Sequence, residues 1–198
     1  MKVMIIIVLI LVGLFILFQL YITMSTNKTE TQKYTVVKVV EDFEIRYYPS
    51  ATMAMILSSA KTYQELSSPG FRKLAGYIFG GNMEKKQIAM TSPVHMDISD
   101  SGSVMGFVMP EKYNKENLPA PNDSSVTIKI IPEEYVAAIR FGGFASDASI
   151  KEHKEILEIG LKKKGIAFHG NFRYLGYNPP FQLVGRRNEI IVAVEWEK

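Results

Sequence analysis

Val3–Ile22, VMIIIVLILVGLFILFQLYI, is an unbroken apolar or weakly polar run, and no charge follows Lys2 until Lys28. At 1.5 Å per residue it matches a hydrocarbon core of about 30 Å. A secretory signal has a shorter apolar region, about 7–15 residues, and ends at a small-x-small site. The flank QLYITMSTNK offers no such site. We therefore read residues 1–24 as an uncleaved, single-pass transmembrane anchor. Lys2 favours a cytoplasmic N-terminus and an extracytoplasmic domain, although Lys28 and Lys33 stand on the other flank. Residues 25–33 lack large apolar side chains and read as a flexible linker. Residues 34–198 form the domain.

Beyond Lys33 the pattern alternates between period two and helical spacing. Tyr34–Val40 and Phe43–Leu57 read as strands around an acidic turn, with Pro49 interrupting the second or placing it at an edge. A helix follows, starting at Thr62 (Thr62-x-x-Glu65) or at Ser68 before Pro69, and closed by Gly80-Gly81. Strands Gln87–Met96 and Val104–Met109 come next. After the polar connection Glu111–Ser124 the order repeats, with strands Val126–Ile131 and Tyr135–Phe141. A second helix then runs from near Ser149, where Ser149-x-x-Glu152 has the spacing of a capping box, to Lys164, with Ile150, Ile156, Leu157 and Leu161 as its apolar side. Strands Phe172–Tyr177 and Asn188–Trp196 close the repeat. In the last strand Ile191, Ala193 and Glu195 face one way and Ile190, Val192, Val194 and Trp196 the other. The expected class is α+β: two ββαββ repeats in a curved, barrel-like antiparallel sheet with two helices packed on it.

Composition narrows the function. There is no cysteine, which excludes disulfides, thiolate-bound zinc and thiolate-ligated heme. Basic and acidic residues are nearly balanced, 23 against 20, and the longest basic run, Lys162–Lys164, suits a helix C-terminus. Nucleic acid is therefore not an expected partner. No G-x-S-x-G, H-E-x-x-H, P-loop or G-x-G-x-x-G is present, and we expect no enzyme activity. Ten Tyr, eleven Phe and ten Met suit an adaptable apolar groove as well as a β-rich core. His153 reads as a solvated helix residue and His169 as a loop residue. His95 ends a strand and is a candidate for a metal ligand.

Five segments in series resemble the SOUL heme-binding protein family: IAMTSPV (Ile88–Val94), NLPAPND (Asn117–Asp123), FGGF (Phe141–Phe144), YNPPF (Tyr177–Phe181) and GRRNEI (Gly185–Ile190). The resemblance runs from about Tyr34 to Trp196. It implies a distorted β-barrel flanked by two helices, and a heme or other porphyrin held non-covalently and reversibly in an apolar groove beside the first helix. Carried onto this chain, that groove takes Phe71, Leu74, Ala75 and Ile78 as lining, with Phe181 from the FQLVGRR loop. Some relatives carry a histidine, proposed as axial ligand, where Tyr47 stands, which makes Tyr47 the other candidate for iron. Ser68, Gly76 and Gln182 occupy places where heme-binding relatives have Arg or Lys; Arg72, Lys73, Arg186 and Arg187 can substitute toward the propionates. An alternative reading rests on a second likeness, to effector-binding domains of transcription regulators. It expects cationic amphipathic small molecules to be bound or hydrolysed, with Glu189 or Glu195 beside Trp196 as the carboxylate. A third is an interaction domain with a vestigial groove. No protein partner is read from the sequence.

Overall fold

In the computed structural model, residues 1–196 are described. Helix α1, Lys2–Asn27, is 26 residues long, about 39 Å at the α-helical rise, and Ile22 is its one buried residue. Of the stretch expected as a linker, Ser25–Asn27 form the last residues of this helix. Strand β1, Glu30–Thr31, pairs in parallel with β5, Thr91–Ser92. Gln32 N donates to Ser92 O at 2.8 Å, and Lys33 meets Glu111 at 2.6 Å.

The domain continues as β2 (Thr35–Val40), β3 (Phe43–Tyr48), β4 (Ala51–Ser58), α2 (Tyr63–Ile78), β6 (Val94–Ser99), β7 (Gly102–Val108), β8 (Val126–Ile131), β9 (Glu134–Phe141), α3 (Asp147–Lys164), β10 (Phe168–Gly176) and β11 (Asn188–Val194). Nine of these strands form one antiparallel sheet in the order β2-β3-β9-β11-β10-β6-β7-β4-β8. Among the described residues the fold is α+β, with three helices and a large antiparallel sheet. Among the described residues no pairing of β2 with β8 closes the sheet into a barrel. The stretch Phe43–Leu57 is two strands, because Pro49 lacks the N–H a ladder needs and the chain turns at Pro49-Ser50. Gln87–Met96 is likewise not one strand: Gln87 makes only an isolated bridge with Phe79, and Pro93 separates β5 from β6.

The two faces of the sheet differ. Helix α2 packs on β4, β7 and β8, and α3 on β9, β10 and β11, so one face carries the main core, including Ile45, Ile56, Leu74, Leu157, Leu161, Ile190, Val192 and Val194. The other face carries a smaller cluster of Tyr48, Val136, Ala138, Leu175, Tyr177 and Ile191. Leu157 and Leu161 are buried as the spacing predicts, but Ile156 is 41% exposed because it lies a quarter-turn off that stripe.

Helix starts follow side-chain chemistry. Thr62 caps α2 by accepting from Glu65 N at 3.2 Å, and Pro69 lies inside the helix rather than at its start. Ser146, not Ser149, caps α3: its hydroxyl accepts from Ser149 N, while the Ser149 hydroxyl accepts from Ser146 N at 2.9 Å. This reciprocal pair satisfies two donors that a helix start otherwise leaves free. Ser146→Ala is expected to cost about 1 kcal/mol, read in urea as a lower midpoint at unchanged slope. An unchanged midpoint would remove the cap from the account of α3.

Candidate functional site

Helix α2 presents two sides. Leu74 is fully buried, Ile78 is 1% and Ala75 8% exposed, so these three expected lining residues are the floor that seats the helix. Phe71 is half-buried against Phe107, ring centroids 5.3 Å apart. The solvent side carries Arg72, Gly76 and Phe79, spaced i, i+4, i+7 and therefore on one strip. Phe79 is 62% exposed, as is most of Met83 just beyond it. Apart from the backbone of its own helix and its chain neighbours, no heavy atom lies within 4 Å of where a Gly76 Cβ would be. Arg72 makes no hydrogen bond or ion pair with the described residues, whereas Lys73 Nζ donates to Ser125 Oγ at 3.2 Å.

The connection from β10 to β11 is held by its own side chains. Arg186 donates to the carbonyls of Pro179 (2.8 Å), Gln182 (2.7 Å) and Gly143 (3.2 Å), and lies over the Phe144 ring at 4.4 Å. Arg187 donates to Glu189 and to Tyr34 Oη, and stacks on Tyr177 at 3.9 Å. Phe181 is half exposed and its ring lies 6.5 Å from that of Phe18 on α1. Gln182 is buried, accepting from Thr26 Oγ1 and donating to Val184 O. The α2 residues and the loop residues thus engage different parts of the molecule, and the single lining expected of them is not drawn together by their bonds.

The two candidates for iron are otherwise engaged. Tyr47 Oη donates to Glu133 Oε2 at 2.5 Å, and that hydrogen bond raises its pKa, away from the tyrosinate that would bind ferric iron. The His95 ring nitrogen Nε2 meets Gln32 Oε1 at 2.7 Å; burial, with Arg173 nearby, pushes its pKa down to about 3 and keeps the ring neutral. His153 is not simply solvated: its ring stacks on Phe141 at 4.0 Å, and Nδ1 meets Ser149 O. His169 is exposed on β10.

A buried charge cluster lies on the other face of the sheet, carried by β3 and β11. Glu189, with no exposed surface, accepts from Arg46 Nη1 (2.7 Å) and Nη2 (3.1 Å), Arg187 Nε (3.0 Å) and Nη2 (2.8 Å), and Tyr177 Oη (2.9 Å). Burial alone would raise its pKa, but the two guanidinium groups outweigh that and hold it below the usual carboxylate range. Arg46, 3% exposed, also donates to Glu44 at 2.6 Å and lies over the Tyr34 ring. Burial pushes the neighbouring Tyr48 phenol up to about 12. Two cations thus face two anions, and Glu189 has no valence left for a cationic ligand. Glu195 is exposed beside Trp196. Nothing in the sequence joins Arg46 to Glu189; the available signal was a charge inside each of two apolar strands.

A cavity of about 220 Å³ opens beside this cluster, lined by Tyr34, Arg46, Arg140 and Glu189 among others. A wider depression of about 520 Å³ is walled by Ser58, Ser59, Asp97, Ser101 and Asn171 together with Leu57 and Val104, a mixed lining on the side of the sheet end formed by the β6–β7 turn.

A family described as SOUL heme-binding protein matches residues 29–193. Heme-binding protein 2 of Mus musculus is 30% identical over 156 residues, 75% of this chain and 76% of that protein. Heme-binding protein 1 of Xenopus laevis is 29% identical over 156 residues, 75% of this chain and 81% of its own. Among solved structures, the C-terminal domain of EcmrR superposes with a TM-score of 0.54 at 13% identity, over 83% of this chain and 99% of that one. A hydrolase from Listeria innocua gives 0.55 at 8% identity, over 87% and 97%. At such identities these two establish likeness of fold alone.

Proposed function

Because the chain belongs to the SOUL heme-binding protein family, we propose that it binds heme or a related tetrapyrrole, reversibly and without a covalent bond, on the solvent side of α2 and from a membrane in which α1 is the anchor. The family match, covering almost everything after α1, carries the reading. The strip Arg72, Gly76 and Phe79 supports the location. Gly76 leaves the helix flat where a macrocycle would lie, Phe79 and Met83 offer apolar surface, and Arg72 is free to meet a propionate. Leu74, Ala75 and Ile78 hold the strip from beneath, with Phe71 at its edge. In this reading Arg186, Arg187 and Phe181 shape the neighbouring loop, and neither Tyr47 nor His95 ligates iron.

The same proposal takes the sheet as two ββαββ units curving toward a barrel. With β3, β4, β6 and β7 as the strands of one unit and β8, β9, β10 and β11 as those of the other, β2 (Thr35–Val40) lies outside the repeat. The orders β8-β4-β7-β6 and β3-β9-β11-β10 then correspond, and each unit's first strand pairs with the other's second. It places the domain, residues 34–198, on the extracytoplasmic side, opposite Lys2.

The test is a titration of the full-length protein in lipid nanodiscs with ferric hemin and, separately, with metal-free protoporphyrin. Trp196 is the one tryptophan, so its quenching reports binding independently of the Soret band. Saturable one-to-one binding of both, with affinities within about threefold, is expected where apolar burial dominates. Binding of neither would overturn the reading. A hemin-specific Soret shift lost in Tyr47→Phe would instead make Tyr47 a ligand.

A further inference from the structure

The loop between β10 and β11 exposes an apolar tip that the tetrapyrrole reading does not use. Phe181 is 51%, Leu183 48% and Val184 71% exposed, and Phe144, 56% exposed, lies next to them under Arg186. Four such side chains at one end of a sheet form a contiguous patch of the kind that marks an interaction surface.

Its neighbour identifies the partner. Gln19 of α1 makes a reciprocal pair with the loop backbone: its Nε2 donates to Phe181 O at 3.2 Å, and its Oε1 accepts from Leu183 N at 3.0 Å. Two helical turns further on, Thr26 donates to Gln182 at 2.9 Å. Gln19, Ile22, Thr23 and Thr26 share a helix face, and Ile22 is the one buried residue of α1. The apolar run ends at Ile22. With a rise of 1.5 Å per residue, Gln19 lies about 4–5 Å inside that boundary. A lone glutamine amide at this depth would leave its donors and acceptor unsatisfied in hydrocarbon. Here the loop supplies both partners, and Gln19 in return satisfies two loop backbone groups that lipid could not.

The topology agrees independently. Gly176, at the end of β10, pairs with Val94, at the start of β6, and β6 follows directly on β5, the partner of β1. The sheet end that bears the loop is therefore the end from which α1 departs. The opposite end, at Ser99–Gly102, is about 20 Å away along β6.

We propose that Phe181–Val184 is a membrane-inserted loop, whose partner is the lipid of the leaflet from which α1 emerges, with Gln19 as the latch that sets its depth. The proposal rests on α1 spanning the bilayer, as read above. It adds a second attachment, so that the domain lies against the membrane with its β10–β11 end down.

The chain has no cysteine, so single labelling sites are clean. Full-length Leu183→Cys, Leu14→Cys and Ser101→Cys carry an environment-sensitive nitrobenzoxadiazole probe in phosphatidylcholine–phosphatidylglycerol vesicles with and without lipids spin-labelled near the headgroup. The probe at 183 is expected to emit blue-shifted and to be quenched several-fold more than the probe at 101, and Gln19→Leu is expected to reduce that quenching. A water-like, unquenched probe at 183 beside a lipid-embedded probe at 14 overturns the loop and leaves the anchor standing. Water-like probes at both positions overturn the anchor and the loop together.

Discussion

Glu189→Ala is expected to destabilise the domain by about 3–5 kcal/mol, because it leaves the buried Arg46 guanidinium and that of Arg187 without their shared counter-ion. For a domain of this size that corresponds to a fall in melting temperature of roughly 6–20 °C. Five hydrogen bonds converge on this carboxylate, and once it is gone Arg46 retains Glu44, the Tyr34 ring and a weak contact with Tyr48. The effect has a pH signature. The folded-state pKa of Glu189 is held below its ordinary value of 4.5. Its contribution is therefore complete above that pH and lost as the pH falls through the lower folded value. Melts between pH 7 and pH 3 should show the wild type losing its advantage over Glu189→Ala on the acid side. A constant difference across that range would mean that shape, not charge, accounts for the loss.

Gly76→Glu should separate binding from stability. An exposed helix-interior glycine is the less favourable choice by about 0.5 kcal/mol or more, and the new side chain has open space, so the variant should melt no lower than the wild type. Its carboxylate would stand on the strip proposed for the macrocycle and repel propionates. Affinity for hemin and for protoporphyrin should fall at least about tenfold, equivalent to 1.4 kcal/mol. Gly76→Lys is the control for bulk, since it adds similar volume with the opposite charge and should bind at least as tightly as the wild type. Equal weakening in both would assign the effect to sterics, and no change in either would move the site off α2.

Local chemistry carried much of the fold into the sequence. Val126–Ile131 is a strand to the residue, and Ile190, Val192, Val194 and Trp196 do face the main core while Ile191 faces the other cluster. Legibility failed where two signals competed. Ser149-x-x-Glu152 has the spacing of a cap, but Ser146 takes that place because its own hydroxyl reaches Ser149 N. Gln87–Met90 alternates like a strand yet finds no ladder. The site was less legible for a different reason: its bonds join residues far apart. Arg186 and Arg187 are adjacent and look alike, but one turns to Gly143 and the other to Glu189 and Tyr34. Gln19 reads as a blemish in an apolar run until Leu183 is brought beside it.

The short passage between α1 and β1 has a geometric consequence. Two residues, Lys28 and Thr29, separate the helix end from a strand that is already paired. With α1 in a bilayer, a domain joined in this way cannot tumble over its anchor, and it shows neighbouring molecules one profile at one height. Any symmetric pair of copies in the same membrane must then be related by an axis along the bilayer normal. Side faces can meet side faces in such a pair, whereas the sheet end furthest from the membrane can never meet its own copy.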